Sequence, residues 1–427
     1  MDEVDSVSEN AIVAGPRRTR GSDRSLVKHG EFFESLGSMD EDSPEWRSQL
    51  AALLTLRIID RLNEGAGVTE ADRVRASESV SAMVGGLPEG HPTRATLLRL
   101  ITAVRGSSAD SSEVAQSAIA YGKALDLTAR WSLAADVFRT VAEAYDELDG
   151  QRITIESLIL LGAAARNLGA WDESESSYAR AQYLADARGY TDLGLTAQVG
   201  IANNHIARGN LPAADAELAE VLDEVRGGRR PFVEAIALHG CAYLAITRGA
   251  FQEAIHHAYR SLELTTDLTA RDRILADIAA AYAGLGQRDV ARDGYSIVAL
   301  TSPHQWVRWQ ALLNLLELDV DEGSEGLFDE HLAQVEHQPL DPRLSAFALI
   351  QKARGFRRFG REGYEKMFAA AGELASTHKL HQLAFQAEHE LSVEHEPLDS
   401  AEDLTDGVRK IAESVRKLRD QVGTSGR

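Results

Sequence analysis

The stretch RNLGAWDESESSYARA at 166–181 recurs in outline along the chain, and the recurrence restricts the fold more than any other feature. Aligning Gly169 with Gly209, Gly249, Gly286 and, one cycle earlier, Ala129 gives spacings of 40, 40, 40 and 37 residues. Two places after this slot stand Trp131, Trp171, Leu211, Phe251 and Arg288. Five places after it stand Ala134, Ser174, Ala214, Ala254 and Ala291, and nine after it Phe138, Tyr178, Leu218, Ala258 and Tyr295. A self-similar period of this length means stacked supersecondary units.

The slot reads as the turn of a helical hairpin. Glycine just past a helix takes the left-handed conformation that ends it, which other residues reach only at a cost of about 1 kcal/mol. The following aromatic opens the second helix and covers the turn. Small residues at the fifth place let two helices approach, and the large residue at the ninth fills the next layer. One hairpin exposes its apolar face, and stacked neighbours hide it.

Composition agrees with an all-α chain. Aromatic residues make up 6% of 427 residues, while Ala, Leu, Glu and Arg abound, a bias toward helix and away from strand. The formal net charge of −21 argues against nucleic-acid binding, which needs dense Lys and Arg, and favours a basic peptide or protein face as partner. A single cysteine, Cys241, excludes an intramolecular disulfide and a Cys-based zinc site. The chain has no run of about 18 apolar residues, and its acidic start MDEVDSVSEN is unlike a signal peptide. The expectation is a cytoplasmic protein that does not enter a membrane.

With these slots in view, the sequence resembles the tetratricopeptide-repeat family. Its paired positions eight and seven before the turn read Tyr121-Gly122, Leu161-Gly162, Ile201-Ala202, Cys241-Ala242 and Ile278-Ala279, and the family's late proline matches Pro303. The period of about 40 exceeds the family's usual 34, and Arg288 departs from the aromatic slot. The resemblance implies a right-handed superhelical solenoid of stacked antiparallel hairpins, with five repeats over 113–303.

Outside that core the pattern weakens. Residues 1–44 read as a disordered arm with a locally basic stretch formed by Arg17, Arg18, Arg20, Arg24 and Lys28. Residues 45–112 read as helical hairpins of poor repeat character, and 304–397 as degenerate helical repeats. In the segment 398–427, Leu404, Val408, Ile411, Val415, Leu418 and Val422 alternate at spacings of four and three, a coiled-coil seam. Two outcomes are expected for it: a helix capping the last apolar face of the solenoid, or self-association into a homodimer.

Motifs for chemistry are sparse. The sequence contains no GxxxxGK[ST], GxGxxG or GxSxG, and in HELSVEH the histidines His389 and His395 are six apart where a zinc helix needs four. His378, His381 and the pair His256-His257 read as helix-surface histidines, and Asp172-Glu173 as first-turn carboxylates favoured by the helix dipole. Cys241 falls in an apolar packing slot. No catalytic residue, cofactor or metal is expected.

The resemblance further implies that the first helices line a concave groove. Carried over unit by unit, its ligand-facing places fall on Lys123, Asp126, Glu156, Arg166, Asn167, Asn203, His239, Tyr243, Arg273 and Asp277, with Asn314 and Glu317 added by the sixth hairpin. Asn203, His239 and Tyr243 are expected to converge. Val199 stands where the family's carboxylate clamp has a lysine, so that type of ligand is not implied. The implied function is a non-catalytic scaffold for a protein or peptide. The alternative is a regulatory sensor, as in bacterial superhelices of this kind, that binds a signalling peptide or small molecule and acts through a separate output protein.

Overall fold

A computed structural model describes residues 28–64, 69–106, 111–145, 151–227, 230–378, 380–392 and 403–425. Among these residues all regular structure is helical. Four helices come first: α1 Gly30–Gly37, α2 Pro44–Asn63, α3 Glu70–Gly85 and α4 Arg94–Arg105. Five hairpin units follow, α5 Ser111–Leu127 with α6 Trp131–Ala144, α7 Gln151–Asn167 with α8 Trp171–Arg188, α9 Thr191–Ala207 with α10 Leu211–Glu224, α11 Pro231–Thr247 with α12 Phe251–Leu264, and α13 Leu268–Gly284 with α14 Arg288–Thr301. Two more hairpins, α15 Gln305–Glu322 with α16 Glu325–Val335 and α17 Pro342–Arg358 with α18 Tyr364–Thr377, lead to α19 His381–Ser392 and α20 Asp406–Ser425. The fold is a solenoid of TPR-like antiparallel hairpins. No helix among the described residues is long and apolar enough to cross a membrane.

The turn slot does what its chemistry demands. Gly169, Gly209, Gly249 and Gly286 have φ of 70°, 78°, 75° and 70°, and Ala129 adopts φ 59° in the same place. The same pair of hydrogen bonds closes each turn. In the second unit the Ala170 N–H donates to the Ala165 carbonyl (2.9 Å) and the Gly169 N–H to the Arg166 carbonyl (3.0 Å), a Schellman motif. The residues two places on begin α6, α8, α10, α12 and α14. Ala134, Ser174, Ala214, Ala254 and Ala291 are fully buried, as the close helix approach requires. That approach is tight: a Cβ on Gly122 would lie 2.5 Å from the Phe138 ring.

Curvature follows from which helices touch. Each first helix, from α5 to α17, packs on the first helix of the next unit, and the second helices make no comparable contact with one another. The first helices therefore form the inner wall of a coil, and the second helices splay along its outside.

Two expectations at the ends need correction. The arm expected over residues 1–44 does not hold for 28–44, where α1 lies against α2 and α6 with Phe32 fully buried. The anchor is His29, whose Nδ1 lies 3.1 Å from Asp136 and whose Nε2 lies 2.8 Å from Asp60. Burial opposes the charge on this ring, but the two carboxylates outweigh it and raise the pKa to about 9. The rest of the expected arm, residues 1–27, lies outside the described residues.

The terminal helix neither caps the last hairpin nor leaves its seam open. α20 turns back onto α12 and α14 and fills the outer furrow between these splayed helices. Val408, Ile411 and Val415 are buried in the same apolar cluster as Tyr282, Val298 and Trp309, with Leu404 and Val422 partly covered and Leu418 still exposed. Tyr282 donates its hydroxyl to the Val408 carbonyl (2.6 Å), and Arg419 pairs with Asp293 (2.8 Å). The seam that suggested pairing with a second copy is thus occupied within one chain.

Candidate functional site: the inner wall of the coil

First helices of 17 residues, repeated from α5 through α13, place successive wall positions in register. The structure sets the candidate wall residues as follows. Lys123 on α5 is exposed, Glu156 on α7 is half-buried and accepts from Arg152 (2.9 Å), and Asn167 is exposed at the end of α7. Arg166 donates to the Tyr178 hydroxyl (2.9 Å), which ties it to the core of its own unit. Asn203 lies against α11, its Oδ1 3.6 Å from the Cβ position of Gly240. Asn314 bonds the Tyr295 hydroxyl, and burial raises the pKa of that phenol.

Asn203, His239 and Tyr243, expected to converge, lie on the adjacent helices α9 and α11. His239 is also bonded to Asp277 of the next unit, Nε2 to Oδ2 at 2.7 Å, so the wall is stitched from α11 to α13. Tyr243, one turn further along α11, keeps 36% of its surface open. Further on, Arg354 bridges Glu317 (2.8 Å) and Glu390 (2.6 Å). Burial raises the Glu317 carboxyl above its ordinary range despite Arg354, although 39% of that side chain remains accessible.

A second cluster joins wall residues that the sequence places far apart. Asp126, at the end of α5, lies 3.5 Å from Arg273 of α13 and 3.6 Å from His304, the residue before α15. Arg273 donates to His304 Nε2 at 2.6 Å. Burial holds the His304 pKa below its usual value, with the Asp126 carboxylate opposing and the Arg273 cation adding to the shift. Burial opposes the charge of Asp126, yet His304, Arg273 and Arg166 together hold its carboxyl below the ordinary range. Beside this cluster the Trp131 and Trp306 rings meet edge-on, centroids 5.8 Å apart and planes at 62°.

This contact joins successive turns of the coil. Asp126, Ala129 and Trp131 mark the turn edge of the first unit, whereas Arg273, His304 and Trp306 mark the opposite edge, where first helices begin. The coil therefore completes a turn within about five units and touches itself. Ion pairs this accessible contribute up to about 1 kcal/mol, and an aromatic pair about 0.5–1.5 kcal/mol. No local period could have signalled His304, Trp306 or this use of Trp131, because each partner lies a full turn of the coil away.

Elsewhere the chemistry is quiet. Burial, then the Asp215 and Glu253 carboxylates, push the Cys241 thiol up to about 11. His257 pairs with Glu253 (3.4 Å), and His256 lies against Gly407 of α20. Among the described residues no group of three His, Cys, Asp or Glu side chains is placed to hold a metal ion. His395 lies outside them.

No protein-family model matches the sequence, and no curated protein matches it. Among solved structures, the chain is similar to a tetratricopeptide repeat protein from Parabacteroides merdae, with 15% identity and a TM-score of 0.39 over 64% of this chain and 98% of that one. It is similar to the Rap conjugation gene regulator of the plasmid pLS20 in complex with the Phr* peptide, with 13% identity and a TM-score of 0.47 over 81% of this chain and 99% of that one. A Rap protein complexed with competence and sporulation factor is similar at 12% identity and a TM-score of 0.45, over 86% and 99% of the two chains.

Proposed function

We propose that the chain is a non-catalytic scaffold whose inner wall takes up a peptide or an extended segment of a protein. The observation that carries this reading is the row of first helices, which presents polar side chains bonded from one unit to the next (His239 with Asp277, Arg354 with Glu317) beside open ones such as Lys123 and Tyr243. Such a wall offers hydrogen bonds and an aromatic face along a line, which suits an elongated ligand. The net charge of −21 favours a partner with basic residues.

One observation favours the regulatory version of this role. The coil touches itself through the Asp126 cluster, so a ligand that alters the spacing of the turns would change the outer surface shown to a second protein.

The test uses linear random peptides displayed on phage, selected on the intact chain and then measured by fluorescence anisotropy. Replacing Asn203, His239 and Tyr243 together by alanine should weaken binding of a selected peptide at least about tenfold, since each lost anchor of this kind costs roughly 1 kcal/mol or more. Equal affinity for both chains would remove the wall from consideration.

A further inference from the structure

We propose that the inner wall is a gated channel, and that the contact of Asp126, Arg273, His304, Trp131 and Trp306 between successive turns is the latch that opens to admit a bulky partner from the side. The proposal rests on the inner wall being the working face.

Three features support it. The first is how little holds the turns together. Neither α5 nor α6 shares broad backbone contact with α13 or α15, so closure depends on a few long side chains and on Ala129, which packs against the apolar cluster of the later units. The second is what closure leaves undone. The Nδ1 of His304 and the Nε1 of Trp131 are buried without a hydrogen-bond partner, although the His304 side chain is 1% exposed. Parting the turns would let water reach them, so closure carries a built-in penalty that opening removes. The third is the architecture. In a stacked array each interface yields slightly, and small rotations summed over the units between Asp126 and Arg273 separate the turns without breaking any hairpin.

The latch ties the spacing of the turns to occupancy of the wall. Arg273 and Asp277 lie one helical turn apart on α13; the first holds Asp126 and the second holds His239. A ligand that draws on the His239–Asp277 pair acts on the same helix that carries the latch cation.

The experiment needs no ligand. In a Cys241→Ser background, spin labels at Glu143→Cys on α6 and Leu300→Cys on α14, both exposed sites, report the separation of the first unit from the fifth. The parent should give one narrow, short distance distribution. The pair Asp126→Asn with Arg273→Met, which keeps side-chain size and removes the charges, should broaden and lengthen it while circular dichroism stays unchanged. About 1 M NaCl should act on the unmutated latch in the same direction, because accessible charges are screened.

A second readout follows Tyr243→Cys in the same background, with a small maleimide and with one carried on a polymer of several kilodaltons. Opening the latch should speed the bulky reagent about tenfold and leave the small one within about twofold, since only the open fraction admits the polymer. An unchanged distance distribution, or equal acceleration of both reagents, overturns the latch. If the latch behaves as stated and no displayed peptide binds, it is the peptide-binding reading that fails.

Discussion

At the scale of single residues, the turn slot sets a test of its own. Ala129 adopts the left-handed backbone that Gly169, Gly209, Gly249 and Gly286 adopt at the same place. An L-residue held there costs roughly 1–2 kcal/mol, partly offset by the greater freedom of glycine in the unfolded chain. Ala129→Gly should therefore stabilise the chain by about 0.5–1 kcal/mol in urea denaturation, and Gly169→Val should destabilise it by about 1–3 kcal/mol. A Cβ at Gly169 would meet no atom within 4 Å, so the penalty there comes from the backbone alone. His29 makes the second test at this scale. Its pKa rises from 6.5 to about 9 on folding, so the stability it supplies is complete below 6.5 and is lost as pH climbs through about 9. The shift corresponds to at most about 3 kcal/mol. Hydrogen exchange in α1 should quicken between pH 7 and pH 10 after correction for the intrinsic rate, and His29→Gln should remove that dependence. Exchange in α1 that is the same at both pH values would show that His29 does not anchor the helix.

At the scale of elements, what could be read from the sequence follows the range of the forces. The hairpins were legible because each is specified within about 40 residues: a left-handed turn, an aromatic that starts the next helix, small residues at the crossing. The same turn bonds recur at Gly323 and Gly360, so α15 with α16 and α17 with α18 share the chemistry although the apolar slots have drifted. α20 was legible as a helix but not in its place, since an alternating seam states only that an apolar face needs cover. Its cover is the furrow between α12 and α14, a product of coil curvature and not of any local pattern. The wall residues were legible only as places in a repeat. The bonding of His239 to Asp277 depends on how far neighbouring units rotate, which no single unit encodes. Ile411 is 6% exposed in the α20 contact. Ile411→Asp should thus free α20 from the body, seen as rapid proteolysis within 403–425, with the molar mass by light scattering unchanged. A parent dimer that this change splits into monomers would instead give the seam to a second copy.

At the scale of the whole molecule, hairpin arrays ordinarily behave as one-dimensional chains in which each unit depends on its two neighbours. Several contacts among the described residues break that rule, beginning with His29 of α1 on Asp136 of α6. The Trp131 and Trp306 rings join turns of the coil, and the Arg419 pair with Asp293 belongs to a helix that returns to the middle of the array. The latch experiment therefore bears on stability as well as access, because the latch is one of the few ties between distant units. The return of α20 also has a practical meaning. Tyr282 and Val408 are 126 residues apart in sequence and bonded in space, so the chain's far segment is a structural member of units made much earlier. A ribosome would have to finish α20 before the furrow between α12 and α14 could be sealed, and a nascent chain halted short of it would carry bare apolar surface at mid-body, where a chaperone could seize it.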